Sequence, residues 1–149
     1  LDERPSHWVL PDLEADLRRI QFAFVDGSHL FDYVMSDFLG IDRILDVGGL
    51  IAFDDSDWSS IAKVIRFALT NRRYRVFDVG TVIEPPRVRP RMLSRILRSL
   101  AGRCSQLRDL LRTDFVRPLH TMGILGRCVV LQKLEVDSRE SQVPNFVDF

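Results

Sequence analysis

Two short apolar runs in this chain break off abruptly into acid. Phe22 to Val25 is followed by Asp26-Gly27-Ser28-His29, and Leu50 to Phe53 by Asp54-Asp55-Ser56-Asp57. A continuous apolar run bounded so sharply predicts a parallel strand covered on both faces, with its carboxyl end opening into a site. Between and around these runs the period changes. Phe31, Val34, Met35, Phe38 and Leu45 fall on one helical face, with Asp32, Asp37 and Asp42 elsewhere around the helix and Gly48-Gly49 as its stop. Ile61, Val64, Ile65, Ala68 and Leu69 mark a second helix, capped by Asp57 or Ser59 and closed by Arg72 and Arg73 near its negative end.

Ahead of the first strand, Leu13, Leu17 and Ile20 share helical spacing. Pro11 suits the first turn of that helix, with Asp12 and Glu14 near its positive end. Tyr74 to Val79 reads as a third strand and Cys128 to Leu134 as a last one. Strand, helix, strand, helix, strand is the order of right-handed βαβ units, so the fold class is α/β with a doubly wound parallel sheet. Glu84-Pro85-Pro86 breaks the pattern and opens a basic helical insertion at about 87–120. An irregular tail follows from about 135.

Composition changes this picture little, and charge changes it more. At 149 residues, 46% hydrophobic and 28% charged, the chain suits one globular domain spanning 1–149. The formal net charge of +0 hides a split. Residues 1–60 carry 13 acidic and 4 basic side chains, a net of −9, whereas residues 61–127 carry 4 acidic and 15 basic, a net of +11. Eight arginines lie between Arg87 and Arg112 against the single acid Asp109. They suit an anionic membrane surface, a docking partner or a solvated helix face, and without interleaved aromatics they do not suit nucleic acid. No apolar run approaches the roughly 20 residues of a membrane span, and the opening Leu-Asp-Glu-Arg-Pro forms no signal peptide, so a cytoplasmic protein is expected. Cys104 and Cys128 belong to no CxxC pair and read as reduced structural thiols.

The motif Val25-Asp26-Gly27-Ser28-His29, the helix after it, the Gly48-Gly49 turn and the strand end Phe53-Asp54-Asp55 together resemble a known pattern. They look like the C-terminal half of a class I S-adenosylmethionine-dependent methyltransferase, in the branch of small-molecule O-methyltransferases of the catechol type. The resemblance covers about residues 10–80. It implies a Rossmann-like sheet holding the family's strands four to seven, with Cys128 to Leu134 as its antiparallel seventh strand. In that family most of the cofactor lies on the first three strands, against a glycine-rich turn. No such turn precedes Phe22, and the chain begins with Leu, so a C-terminal fragment lacking the N-terminal cofactor-binding half is expected. Its first strand would then be an apolar edge at Phe22 to Val25, open to a second copy in a homo-oligomer or to the missing half.

The resemblance also implies a site. Asp26, Gly27 and His29 would contact S-adenosylmethionine. Asp26, Asp54 and Asp55 would lie together on neighbouring strand ends, where three carboxylates repel unless a cation sits among them. The matching residues in catechol-type enzymes hold Mg²⁺, a hard ion suited to oxygen ligands. Such an ion would bind and acidify a hydroxyl of a small-molecule substrate. His29 could serve as general base, with Asp26 as a catalytic partner, because histidine titrates near neutral pH.

Structural alternatives stand beside each role. Asp26 before Gly27 suits a turn, and Asp54, Asp55 and Asp57 suit helix caps. His29 could bond a backbone group at the next helix, and Trp58 could wall a pocket or pack on the sheet. His7 and His120 read as solvent or structural residues. The competing function is a non-catalytic module that acts in binding or oligomerisation. A metal-dependent hydrolase is weaker, since no nucleophile stands at the first strand's end.

Overall fold

The computed structural model describes residues 2–77 and 127–138. The arginine-rich segment, Cys104, His120 and the tail beyond residue 138 lie outside the described residues. The described elements run α1 (Ser6–Ala15), β1 (Ile20–Val25), α2 (Phe31–Ile44), β2 (Leu45–Phe53), α3 (Ser59–Asn71), β3 (Tyr74–Val76) and β4 (Val129–Lys133). The four strands form one sheet in the order β1-β2-β4-β3. β1 pairs parallel with β2, and β4 runs antiparallel between β2 and β3. The βαβ crossovers expected from the alternating periods are therefore present, and the last strand is antiparallel as the resemblance implied.

The core forms where α2 and α3 lie on one face of the sheet. Phe38 is its centre, with ring centroids 6.3 Å from Phe53, 6.2 Å from Phe67 and 5.6 Å from Tyr74. Ile44, Leu45, Ile51, Val64, Ile65 and Leu131 are buried around it. Each such side chain contributes roughly 1.5–3 kcal/mol by leaving water, which is how short elements with few caps hold together. α2 and α3 have no side-chain cap at either N-terminus; the N-cap residues are Leu30 and Trp58. Packing of the apolar stripe, rather than capping by Asp57 or Ser59, fixes where α3 starts.

Three expectations are corrected here. β1 is covered on one face only. Val25 pairs with Phe53, whose ring meets Phe38 of α2, so alternation sends Phe22 and Phe24 to the opposite face, where they are 58% and 53% exposed. Gly48-Gly49 does not stop α2: the chain turns from helix to strand directly at Leu45, and the glycines sit inside β2. Finally, α1 begins at Ser6 with Pro11 in its interior, so Asp12 and Glu14 lie toward its carboxyl end rather than its first turn.

The glycines inside β2 form a bulge. Register passes from Ile20↔Leu45 to Phe22↔Leu50, so Asp46 to Gly49 loop out opposite the single residue Gln21. Gly48 has φ +86°, a conformation costly for any residue with a Cβ. Gly49 lies so close to the backbone that a Cβ would sit 2.9 Å from the Asp46 carbonyl oxygen. Around the bulge, Asp46 accepts hydrogen bonds from Arg19 at 2.9 Å and Gln21 at 2.7 Å.

At the amino ends of the parallel strands lies a buried polar network. The spacing places Asp42 away from the apolar face of its helix, yet it is buried. Its carboxylate accepts hydrogen bonds from Tyr74 Oη at 2.7 Å and Arg72 Nε at 3.2 Å, and Lys133 Nζ lies 3.2 Å away. Lys133 Nζ also donates to the carbonyl oxygens of Asp42 and Leu45. Burial and the neighbouring Asp42 charge push the Tyr74 hydroxyl well above the ordinary tyrosine range. Among the described residues, no helix is long and apolar enough to cross a membrane.

Candidate functional site at the carboxyl ends of β1 and β2

The other edge of the sheet carries the residues singled out from sequence. The last paired residues of the parallel ladder are Val25 and Phe53, and the Asp54 amide still donates to the Val25 carbonyl at 3.1 Å. Asp26 and Asp54 therefore leave adjacent strands side by side. Asp55 follows with φ 47°, the left-handed region that aspartate tolerates better than most residues. A turn from the Trp58 amide to the Asp55 carbonyl at 2.9 Å leads into α3.

His29 belongs to the same group. Its Nε2 lies 3.0 Å from Asp55 Oδ2, and its ring stacks on Trp58 with centroids 4.6 Å apart and planes at 26°. The Ser60 hydroxyl donates to the His29 carbonyl at 2.6 Å, so α3 holds the backbone as well as the ring. With Nε2 against a carboxylate, a neutral imidazole carries its proton there and leaves Nδ1 as the basic nitrogen. Trp58 is thus a wall of the histidine site, half open to solvent.

Sequence reasoning missed Arg127. β4 runs antiparallel to β2 with Phe53 opposite Val129, and continuing that register by two residues sets Asp55 opposite Arg127. The Ser56 amide donates to the Arg127 carbonyl at 2.7 Å. Arg127 Nε donates to Asp55 Oδ1 at 3.0 Å, and Nη2 of the same guanidinium donates to that oxygen too. Asp55 is thereby gripped on both oxygens, by Arg127 and by His29. The hydrogen bond from Arg127 holds the Asp55 carboxyl below the usual carboxylate range, with further help from the charges of Arg127 and His29. A signal was present in the sequence, an arginine just before an apolar strand, but only the register reveals its partner.

Asp26 makes no hydrogen bond or ion pair with another described residue, and a Cβ on Gly27 would meet nothing within 4 Å. The edge is therefore open beside Asp26 and Gly27, which leaves a free acceptor and room for a ligand. The Mg²⁺ set fares differently. Among the described residues, no group of three or more His, Cys, Asp or Glu side chains is placed to hold a metal ion. Asp26, Asp54 and Asp55 share an edge without converging, because Asp55 is drawn toward Arg127 and His29. These residues do not fit the ion.

Residues 3–56 match the family model of a methyltransferase domain. The matched segment runs from α1 to the turn after β2 and so includes Asp26, Gly27, His29, Asp54 and Asp55. No curated protein matches the chain. The match supports a methyltransferase-type function and suggests dependence on S-adenosylmethionine. The mixed four-stranded sheet fits a Rossmann-like methyltransferase fold.

Proposed function

We propose that this chain is the carboxyl part of an S-adenosylmethionine-dependent methyltransferase that methylates a hydroxyl oxygen of a small molecule, with His29 as general base. The observation that carries the reading is the Asp55–His29 pair, 3.0 Å apart, at the strand ends of the matched segment. The order β1-β2-β4-β3, with its antiparallel insertion, supports assigning these strands as four, five, seven and six of the family's sheet.

When bound, S-adenosylmethionine supplies a methyl group on a sulfonium, which a hydroxyl oxygen attacks as the sulfur–carbon bond breaks. Asp26, unengaged at the open edge, accepts hydrogen bonds from the donor or the substrate. Gly27 allows close approach. Asp55 fixes the His29 ring so that Nδ1 takes the hydroxyl proton, while Trp58 blocks one face of the ring from water. Orientation supplies much of the advantage, because the acceptor oxygen must lie in line with the methyl carbon. His29→Gln tests the role. In the intact enzyme of which this chain is proposed to be the carboxyl part, turnover of hydroxylated aromatic acceptors is expected to fall by about 10²-fold or more while donor affinity stays within a few-fold, and the acid limb of the pH–rate profile disappears. An unaltered pH–rate profile rejects His29 as base.

One observation favours a second reading, a binding module. β1 is an edge of the described sheet and exposes Phe22 and Phe24. An antiparallel pairing of two copies centred on Phe22 sets Arg18 of each beside Asp26 of the other, a self-complementary arrangement that would cover the edge. Light scattering on the purified chain decides between a dimer and a stable monomer, and a monomer counts against this reading.

A further inference from the structure

Asp26, Asp54, Asp55 and Asp57 follow the strand ends along one edge of the sheet, and their negative charge calls for a counter-charge. An arginine from the other side of the chain's sequence arrives there. Its placement follows from the β2–β4 register, which sets Arg127 opposite Asp55 and ties its backbone to Ser56 at 2.7 Å. Its guanidinium donates twice to Asp55 Oδ1, while His29 occupies Oδ2. Arg127 also feels the negative charges of Asp54 and Asp57, which together with Asp55 favour its charged form.

We infer that Arg127 is the built-in cation of this edge: it takes the place a divalent ion would need among the carboxylates and, through Asp55, positions His29. Two physical consequences follow. A divalent ion entering here must displace the guanidinium from Asp55 or endure its repulsion at close range, which disfavours binding by a margin that grows as the site dries. And because a guanidinium is planar and permanently charged, it holds Asp55 in one orientation wherever Asp55 is ionised, which a hydrated ion in exchange with solvent does not. Arg127 is a positioning residue in this scheme; it does not touch the reacting atoms. The inference rests on charge and geometry alone and holds whether or not the methyltransferase reading does.

The test is Mn²⁺ titration of the chain, read as paramagnetic broadening of the His29 ring resonances, in the natural protein and in Arg127→Ala and Arg127→Gln. Arg127 is largely exposed, so neither substitution removes core packing. Loss of the guanidinium is expected to lower the Mn²⁺ concentration for half-maximal broadening by about threefold or more in both variants. Arg127→Lys, which keeps the charge, is expected to stay near the natural protein. A shift smaller than about threefold in Arg127→Ala and Arg127→Gln overturns the inference, as does saturable broadening of His29 in the natural protein at the concentration the variants need. Methyl transfer is not the readout, so failure here is distinct from failure of the proposed activity.

Discussion

Asp42→Asn probes the interior most sharply, because it changes charge while leaving shape almost untouched. Asp42 is 6% exposed and Lys133 2%. The carboxylate compensates the buried cation Lys133, whose Nζ lies 3.2 Å away, and the partly buried Arg72, whose Nε lies 3.2 Å away and whose Nη1 also pairs with Asp137 at 3.1 Å, and it accepts from Tyr74 Oη at 2.7 Å. An asparagine keeps a carbonyl acceptor for the tyrosine and loses the charge facing both cations. Removing one partner of a buried pair costs about 3–5 kcal/mol, chiefly because the remaining charge is left in a poor solvent. Small domains are stable by only about 5–15 kcal/mol, so the variant should lose a large share of its stability.

Urea unfolding followed by circular dichroism reads the effect as a shift in midpoint at constant slope. A second variant isolates the cause. Adding Lys133→Met to Asp42→Asn removes the orphaned charge and should recover at least about 1 kcal/mol, the non-additivity expected of groups in contact. If Asp42→Asn costs less than about 1 kcal/mol, as for an exposed ion pair, the network is solvated and the reasoning fails.

Three further outcomes follow from the same geometry. The Tyr74 hydroxyl ionises in the unfolded chain near its ordinary 10.0 but keeps its proton to higher pH when folded, so stability should fall as pH rises above about 10, and Tyr74→Phe should flatten that alkaline loss in urea titrations. Asp55 has the opposite sign: its folded carboxyl sits below the ordinary 3.8, so its contribution is present above that value and is lost as pH falls below it, and Asp55→Asn should shallow the acid limb of the same titration. At the bulge, Gly49→Ala would bring a Cβ to 2.9 Å from both the Asp46 oxygen and Leu45 Cδ1, and should cost about 1–3 kcal/mol, measured as a lower urea midpoint.

Much of this fold is legible as period. The helical stripe Val34 and Phe38, the stripe Ile61, Val64, Ile65 and Ala68, and Ile51 to Phe53 of the second apolar run are all buried where their spacing put them. Departures occur where tertiary context overrides a local signal. Gly48-Gly49 carries the signature of a helix stop, but the sheet uses it for a bulge, and Leu45 becomes a strand residue because pairing with Ile20 is available. Pro11 suits a first turn, yet it sits within α1.

The site was legible in part, for the same reason. Asp26, His29, Asp54 and Asp55 stand in local motifs, and the structure gathers them at one edge. Arg127 lies 72 positions from Asp55 and carries no motif. Only the strand register links them, and register is a property of the folded sheet. Asp42 reads from its spacing as a position off the apolar stripe, and only the folded sheet shows it buried against Lys133.

Titration with S-adenosylmethionine of the chain joined to the N-terminal half that the proposal assigns to it, followed residue by residue by NMR, tests the central claim most directly. The account predicts saturable shifts at Asp26, Gly27 and His29, with Tyr74 and Lys133 at the opposite edge unmoved, and loss of those shifts in Asp26→Asn. No saturable change at the Asp26–His29 edge, or equal changes at both edges of the sheet, would contradict it.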